Sequence, residues 1–186
     1  MKFLNEKQLH QLNSFITNHS SSSKRDLLLI SLSVKAGVKP AHLAEMRVSD
    51  VLDQTTGEVV REVKTGTTRT HLSDEVRKQV EDFLRTRFYQ DPKALRKVSL
   101  HLFTNREERC YYTDQSMATH LSYLIKKSGI NGTSMALRNT FIHQMMTSGL
   151  NLTSMVKMTA IKHPTTIIRY LTSDFSEVTQ MADEVS

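Results

Sequence analysis

Apolar positions along this chain recur mostly at helical spacing and switch to a strand rhythm only once. Leu9, Leu12, Phe15 and Ile16 share one face of a helix predicted over residues 6–18, with Asn5 in the capping position. The polar run Ser20–Ser23 breaks it. A second helix is expected over residues 24–36, closed by Gly37 at C′, where a left-handed residue ends helices. Pro40 suits the first turn of a short third helix that turns Leu43 and Met46 inward. Between Val48 and Leu72, β-branched residues are separated by the turn sequences TTGE and KTGTT, which predicts two or three antiparallel strands. Ser73 then caps an acid-started helix over residues 74–89, ended by Asp91-Pro92. Thr113 opens another that stops at Gly129, and residues 134–148 form one stopped by Gly149. Two short helices follow, split by His163-Pro164. The order is helices, a small β-ribbon, then helices again.

Length and charge narrow the classes. The 186 residues suit one domain with a real core, and 38% hydrophobic with 24% charged residues fits a globular chain. A net charge of +6 points to an acidic partner, nucleic acid first. The lone Cys110 excludes an internal disulfide and a cysteine-rich zinc site, and favours a reducing compartment. The start MKFLNEKQL carries charges where a signal peptide needs its apolar run, and the longest apolar run, Leu27–Ile30, is too short for a bilayer. A cytoplasmic protein is expected.

The charge is unevenly spread. From Gln115 to Ser173 there is no Asp or Glu, while Lys126, Lys127, Arg138, Lys157, Lys162 and Arg169 are basic. Tyr170 lies 32 residues after Arg138. A hydroxyl, a guanidinium fork and a stretch without competing carboxylates suit a phosphodiester. The same residues also read as a basic helical surface with one ordinary half-buried tyrosine. Ser21-Ser22-Ser23-Lys24 and Lys64-Thr65-Gly66 imitate the SxxK and KTG elements of penicillin-binding enzymes. Ser21 lies in a polar run instead of opening a buried helix, and no credible SDN loop intervenes, so that reading fails. The eight histidines lack a metal-ligand spacing, and His42 and His71 read as surface or core residues. No metal or cofactor is expected.

Three segments in order carry a resemblance. GVKPAHLAEMRVSDV (37–51) is similar to the first box of the tyrosine recombinase, or phage integrase, family, which reads like G-L-R-x-x-E-L-x-x-L-R-W-S-D-I. Gly37, Leu43, Met46, Arg47, Ser49, Asp50 and Val51 match it in kind. VKTGTTRTHLS (63–73) resembles the family's hairpin K-T-G-x-x-R-x-x-x-L. Residues 135–170 resemble the second box, H-x-L-R-H-T-F-A-x-x-L-x-x-G, and its continuation to the nucleophilic tyrosine, through Leu137, Arg138, Thr140, Phe141, Gly149 and Tyr170. The resemblance spans residues 5–175.

The resemblance implies an α+β, mostly α fold: a tyrosine-recombinase-like catalytic domain with a small antiparallel ribbon over residues 1–173, and a tail over 174–186 that docks on a neighbouring protomer or a recombinase partner. It implies double-stranded DNA as the partner, cut through a 3′-phosphotyrosyl bond without metal or nucleotide. Tyr170 would be the nucleophile, Arg138 a phosphate clamp, Lys64 the general acid, and Lys39 the stand-in for the family's first arginine. Arg47, Arg69, Lys126, Lys127, Lys162 and Arg169 are the candidate DNA contacts.

The departures are specific. Lys39 keeps the charge of that arginine but loses its planar fork. The two flanking histidine positions are Met135 and Ile161, and Asn139 follows the arginine where the box has histidine. Losing one preorganised donor costs about 10²–10³ in rate, so slow or impaired cleavage is expected. Only 36 residues precede the first box, so the helical core-binding domain usual there is expected to be missing. Two readings stay open: a recombinase that uses Tyr170, and a non-cutting relative that occupies recombination sites or regulates an active recombinase. A third is a helical transcription regulator with coincidental boxes.

Overall fold

The computed structural model describes residues 2–66, 68–96, 99–105 and 110–159. Among them run α1 (Glu6–His19), α2 (Ser23–Lys35), α3 (Pro40–Glu45), α4 (Val48–Val51), β1 (Glu62–Thr65), β2 (Thr68–His71), α5 (Asp74–Arg87), a 3-10 turn at Pro92–Arg96, α6 (Asp114–Lys127), α7 (Ser134–Thr147) and α8 (Leu152–Thr159). The expected order of helices, ribbon and helices is present.

Local chemistry starts the helices where the residues predict. Asn5 closes a capping box: Gln8 N–H donates to Asn5 Oδ1 at 2.9 Å, and Asn5 N–H donates to Gln8 Oε1 at 3.1 Å. Ser73 and Thr113 cap α5 and α6 with their hydroxyls. The helices differ in what they bury. α1, α5 and α6 each turn one apolar stripe inward, whereas α2 is buried almost all round and packs against α1, α5 and α7. Helix α7 is likewise buried along most of its length, from Ser134 to Met145.

The strand expectation needs one correction. Val48 begins the helical turn α4, not a strand, and among the described residues β1 pairs with β2 in a two-stranded sheet. Backbone pairing from afar decides this: Val48 N–H donates to Leu100 O at 2.9 Å, and Leu102 N–H donates to Met46 O at 2.7 Å. Asp50 Oδ2 then accepts from Arg47 N–H at 2.7 Å and caps the turn. The pairing of Leu52 with Val59 is an isolated bridge. In the true hairpin Lys64 faces Arg69 and Val63 faces Thr70, with Val63, Thr65 and Thr70 buried and Lys64 and Arg69 outward.

Two long-range ties lock the helices. The first residues lie over α7: Asn139 Nδ2 donates to Lys2 O at 2.9 Å, Leu4 N–H donates to Thr140 Oγ1 at 2.8 Å, and Phe3 stacks on His143 with ring centroids 3.8 Å apart. The second is a buried polar knot. Asp26, wholly buried on α2, accepts from Ser20 Oγ at 2.6 Å and Arg25 Nε at 2.9 Å, and lies 2.9 Å from His120 Nε2 on α6. Burial alone would push this carboxyl up, but the His120 hydrogen bond, the Arg25 charge and the Ser20 hydroxyl outweigh it and hold it below its ordinary value.

Asp26→Asn leaves Arg25 buried without its counter-charge. A loss of about 3–5 kcal/mol is expected in urea denaturation at neutral pH. Because the folded carboxyl titrates lower than the unfolded one, its contribution is complete above about pH 4 and fades as pH falls through the lowered folded value. An equal midpoint for Asp26→Asn and the parent at neutral pH would refute the knot's role.

Candidate phosphate-binding site

The turn after α2 sets the geometry. Gly37 takes φ +64°, and a Cβ there would lie 2.4 Å from the Phe141 ring. Only glycine lets the chain reverse so close to α7. The Gly37 carbonyl then accepts from Arg138 Nη1 at 2.8 Å, so the guanidinium is held by backbone. Arg138 is buried.

Lys39 follows two residues later as the residue before α3. Partial burial lowers its pKa from the ordinary lysine value, and the Arg138 charge lowers it further. One helical turn on stands His42, also half-buried. Burial lowers its pKa most, Lys39 and Arg138 add to this, and Glu45 and Asp114 oppose it. The other edge of His42 faces the hairpin: a Cβ at Gly66, where φ is +64°, would lie 3.1 Å from His42 Nε2. His42, Glu45, Met46, Asp50, Lys64, Thr65 and Gly66 line one small cavity of about 140 Å³.

The structure therefore brings Lys39 and Arg138 together electrostatically and joins them to the Lys64 hairpin through His42. Spacing alone marks this imidazole only as a surface or core residue; the signal for it is in the first box, where the acidic position of the family falls on His42. The expectation of a carboxylate-free field does not carry over to this site. Glu45 and Asp50 line the Lys64 cavity, and the Asp114 charge reaches His42, because α3, α4 and the start of α6 come from outside the acid-free stretch.

The other candidates scatter around this centre. Arg69 sits opposite Lys64 on the hairpin, mostly exposed and 3.8 Å from Glu62. Arg47 is exposed at the bridge to His101, and its charge helps lower the His101 pKa behind burial. Lys126 lines a cavity of about 380 Å³ with Lys2, Met135 and Asn139, and Lys127 lies 5.8 Å from the Tyr123 ring centre. Met135 is 53% exposed, a thioether where the family box has histidine. Asn139 spends an amide donor on Lys2 O. Tyr170, Lys162, Arg169, Ile161, His163 and the tail 174–186 lie outside the described residues. Among the described residues, no three His, Cys, Asp or Glu side chains gather to hold a metal ion, and no helix is long and apolar enough to cross a membrane.

The sequence model of the phage integrase family matches residues 2–177. The chain belongs to the phage integrase family. Its fold is similar to that of the XerA recombinase, with 18% identity and a TM-score of 0.72 over 91% of this chain and 58% of that one. It is also similar to the XerH site-specific recombinase bound to a palindromic difH substrate in a post-cleavage complex, at 17% identity and a TM-score of 0.70 over 97% of this chain and 52% of that one. The Tn1549 transposon integrase in complex with transposon right-end DNA gives 18% identity and a TM-score of 0.67 over 97% of this chain and 66% of that one. This phage integrase family chain thus spans between 52% and 66% of the length of these three proteins. At such identities the shared property is the fold, the mostly helical tyrosine-recombinase catalytic domain with its two-stranded ribbon. No curated protein matches the chain.

Two glycines, Gly37 at this site and Gly57 in the turn between Asp53 and Glu58, separate strain from contact. Gly57 has φ +75° with nothing near its missing Cβ, whereas Gly37 has both the left-handed backbone and the Phe141 ring. Gly57→Ala should cost about 1 kcal/mol from backbone alone, and Gly37→Ala about 3 kcal/mol or more. Urea midpoints for the two variants provide the comparison. Equal losses would mean that the Gly37 turn has room to spare.

Proposed function

We propose that this protein binds duplex DNA through a phosphate held at Lys39, Arg138 and Lys64, and cleaves and rejoins a strand through Tyr170. The observation that carries the reading is the convergence of Lys39 and Arg138 on His42, whose far edge meets the Lys64 hairpin, within a phage integrase family fold. Lys64 and Arg69 directly opposite each other support it by placing two outward cations on one face of the hairpin.

In this reading Tyr170 Oη forms a bond to phosphorus, the bond to the 5′-oxygen breaks, and that oxygen takes a proton from Lys64. The phenolic proton leaves to solvent. Arg138 and Lys39 stabilise the charge that builds on the phosphoryl oxygens. Lys39 supplies charge without the bidentate fork, and neither Met135 nor Ile161 donates a hydrogen bond, so turnover is slow. Arg47, Arg69, Lys126, Lys127, Lys162 and Arg169 serve as backbone contacts that fix the duplex in register. Residues 1–173 act as the catalytic domain in the cytoplasm, and the tail 174–186 joins protomers or a recombinase partner through Phe175, Val178 and Met181 at helical spacing.

A second reading follows from the exposed Met135 thioether: a non-cutting member that occupies recombination sites and regulates an active recombinase. One experiment divides the two. A nicked suicide duplex should trap a covalent 3′-phosphotyrosyl complex without added metal, and Tyr170→Phe should abolish it with binding intact. Placing histidine at both 135 and 161 should raise the trapping rate about tenfold or more. No covalent complex from either protein, on DNA ends of its own element, would leave the binder as the function.

Binding itself is tested by salt. The affinity for duplex should fall steeply as salt rises, and Arg138→Ala should weaken binding and reduce the log–log slope by about one. An affinity indifferent to salt would refute DNA binding at this site.

A further inference from the structure

His42 is the titratable group that the roles given above leave unused, and it stands at their centre. We propose that His42 contacts the same DNA phosphate as Lys39 and Arg138 and takes up a proton as the phosphate binds. The inference rests on the DNA-binding reading and deepens it.

Geometry comes first. His42 lies three residues after Lys39, the N-cap residue of α3, and the Lys39 charge reaches its ring. Its ring borders the cavity lined by Lys64, Thr65 and Gly66, with Nε2 directed at the hairpin turn. Among the described residues the ring makes no hydrogen bond, although half of the side chain is out of water. Two ring nitrogens beside a small cavity that Lys64 lines, within reach of the Lys39 and Arg138 charges, match the needs of a phosphodiester, which accepts hydrogen bonds and donates none.

Charge then fixes the direction of the proton. The groups facing His42 are Lys39 and Glu45 from its own helix, Arg138 from α7, Asp114 from α6, Asp50 from α4 and Lys64 from the hairpin. In the free protein, burial and the Lys39 and Arg138 charges keep the ring neutral at neutral pH, against the opposing pull of Glu45 and Asp114. A bound phosphate brings a negative charge to the same place and raises the affinity of the ring for a proton. The histidinium then donates to a phosphoryl oxygen. His42 thereby supplies a charged imidazole donor from α3, in a chain whose second box carries Met135 in place of histidine.

The sign of the linkage follows. A group with a higher pKa in the complex than in the free protein strengthens binding at low pH, and the advantage is lost as pH rises through the bound-state value. Affinity for a short random-sequence duplex, measured at constant salt, should fall roughly three- to tenfold from about pH 5.5 to about pH 7.5. His42→Gln should bind with a flatter pH profile, and its deficit should be largest at the acid end. On the unaltered protein, the His42 ring resonances should titrate at higher pH with duplex present than without it, a readout that needs no variant to fold. A pH profile in His42→Gln that parallels the parent, or His42 resonances titrating alike with and without duplex, would overturn the proposal while leaving salt-dependent DNA binding intact. Duplex affinity indifferent to salt would instead remove the DNA-binding reading, and this proposal with it.

Discussion

The hydrogen bond from Arg138 Nη1 to the Gly37 carbonyl joins two parts of the chain 101 residues apart, and the site takes its shape from it. The guanidinium is planar, so fixing one nitrogen on a rigid carbonyl sets the directions in which the others point. Gly37 must be glycine for that carbonyl to lie where it does, since the Phe141 ring of α7 fills the space of a side chain. Lys39 follows two residues after the turn and His42 one helical turn later, so their placement derives from the same reversal. Helix α2 is buried nearly all round, and this gives the turn a stiff base.

That arrangement stores repulsion. Arg138 lowers the Lys39 pKa and both lower that of His42, while Glu45 and Asp114 oppose them there; Lys64 faces Arg69 across the ribbon, and Glu62 lies 3.8 Å from Arg69. Cations set this close lower one another's affinity for protons. Lysine at position 39 adds a further property. Arginine stays charged at every relevant pH, whereas a partly buried lysine has a lowered pKa and a charge that answers to its surroundings.

Much of the fold was legible because helix ends are local chemistry. Asn5 with Gln8, Ser73 and Thr113 each start a helix through bonds spanning three residues, and short windows of sequence contain them entirely. Val48–Val51 was misread as strand because its conformation is set by Leu100 and Leu102, which no local pattern reveals. The site divides the same way. Lys39, Lys64 and Arg138 are singled out by their boxes, but the residues that surround them come from elsewhere in the fold. His42 looked ordinary because its meaning comes from Lys39, Arg138 and Gly66, on the turn before its own helix, on α7 and on the hairpin. The acid-free run from Gln115 is real, yet acidic residues from α3, α4 and the first turn of α6 reach the site across the fold.

The ties of residues 2–4 to α7 bear on how the molecule forms. Lys2 and Leu4 meet Asn139 and Thr140 at sequence separations of 137 and 136 residues. During synthesis residues 2–4 cannot make these ties until α7 has emerged, so the helix bearing Arg138 gains this cover only after the whole span between them has been made. Contacts of such separation close large loops and slow the search for the native state. Until they close, the Phe3 ring and the polar face of α7 are both exposed to solvent and to other chains. The cover over the helix that bears Arg138 therefore closes only when the two ends of this 137-residue span meet.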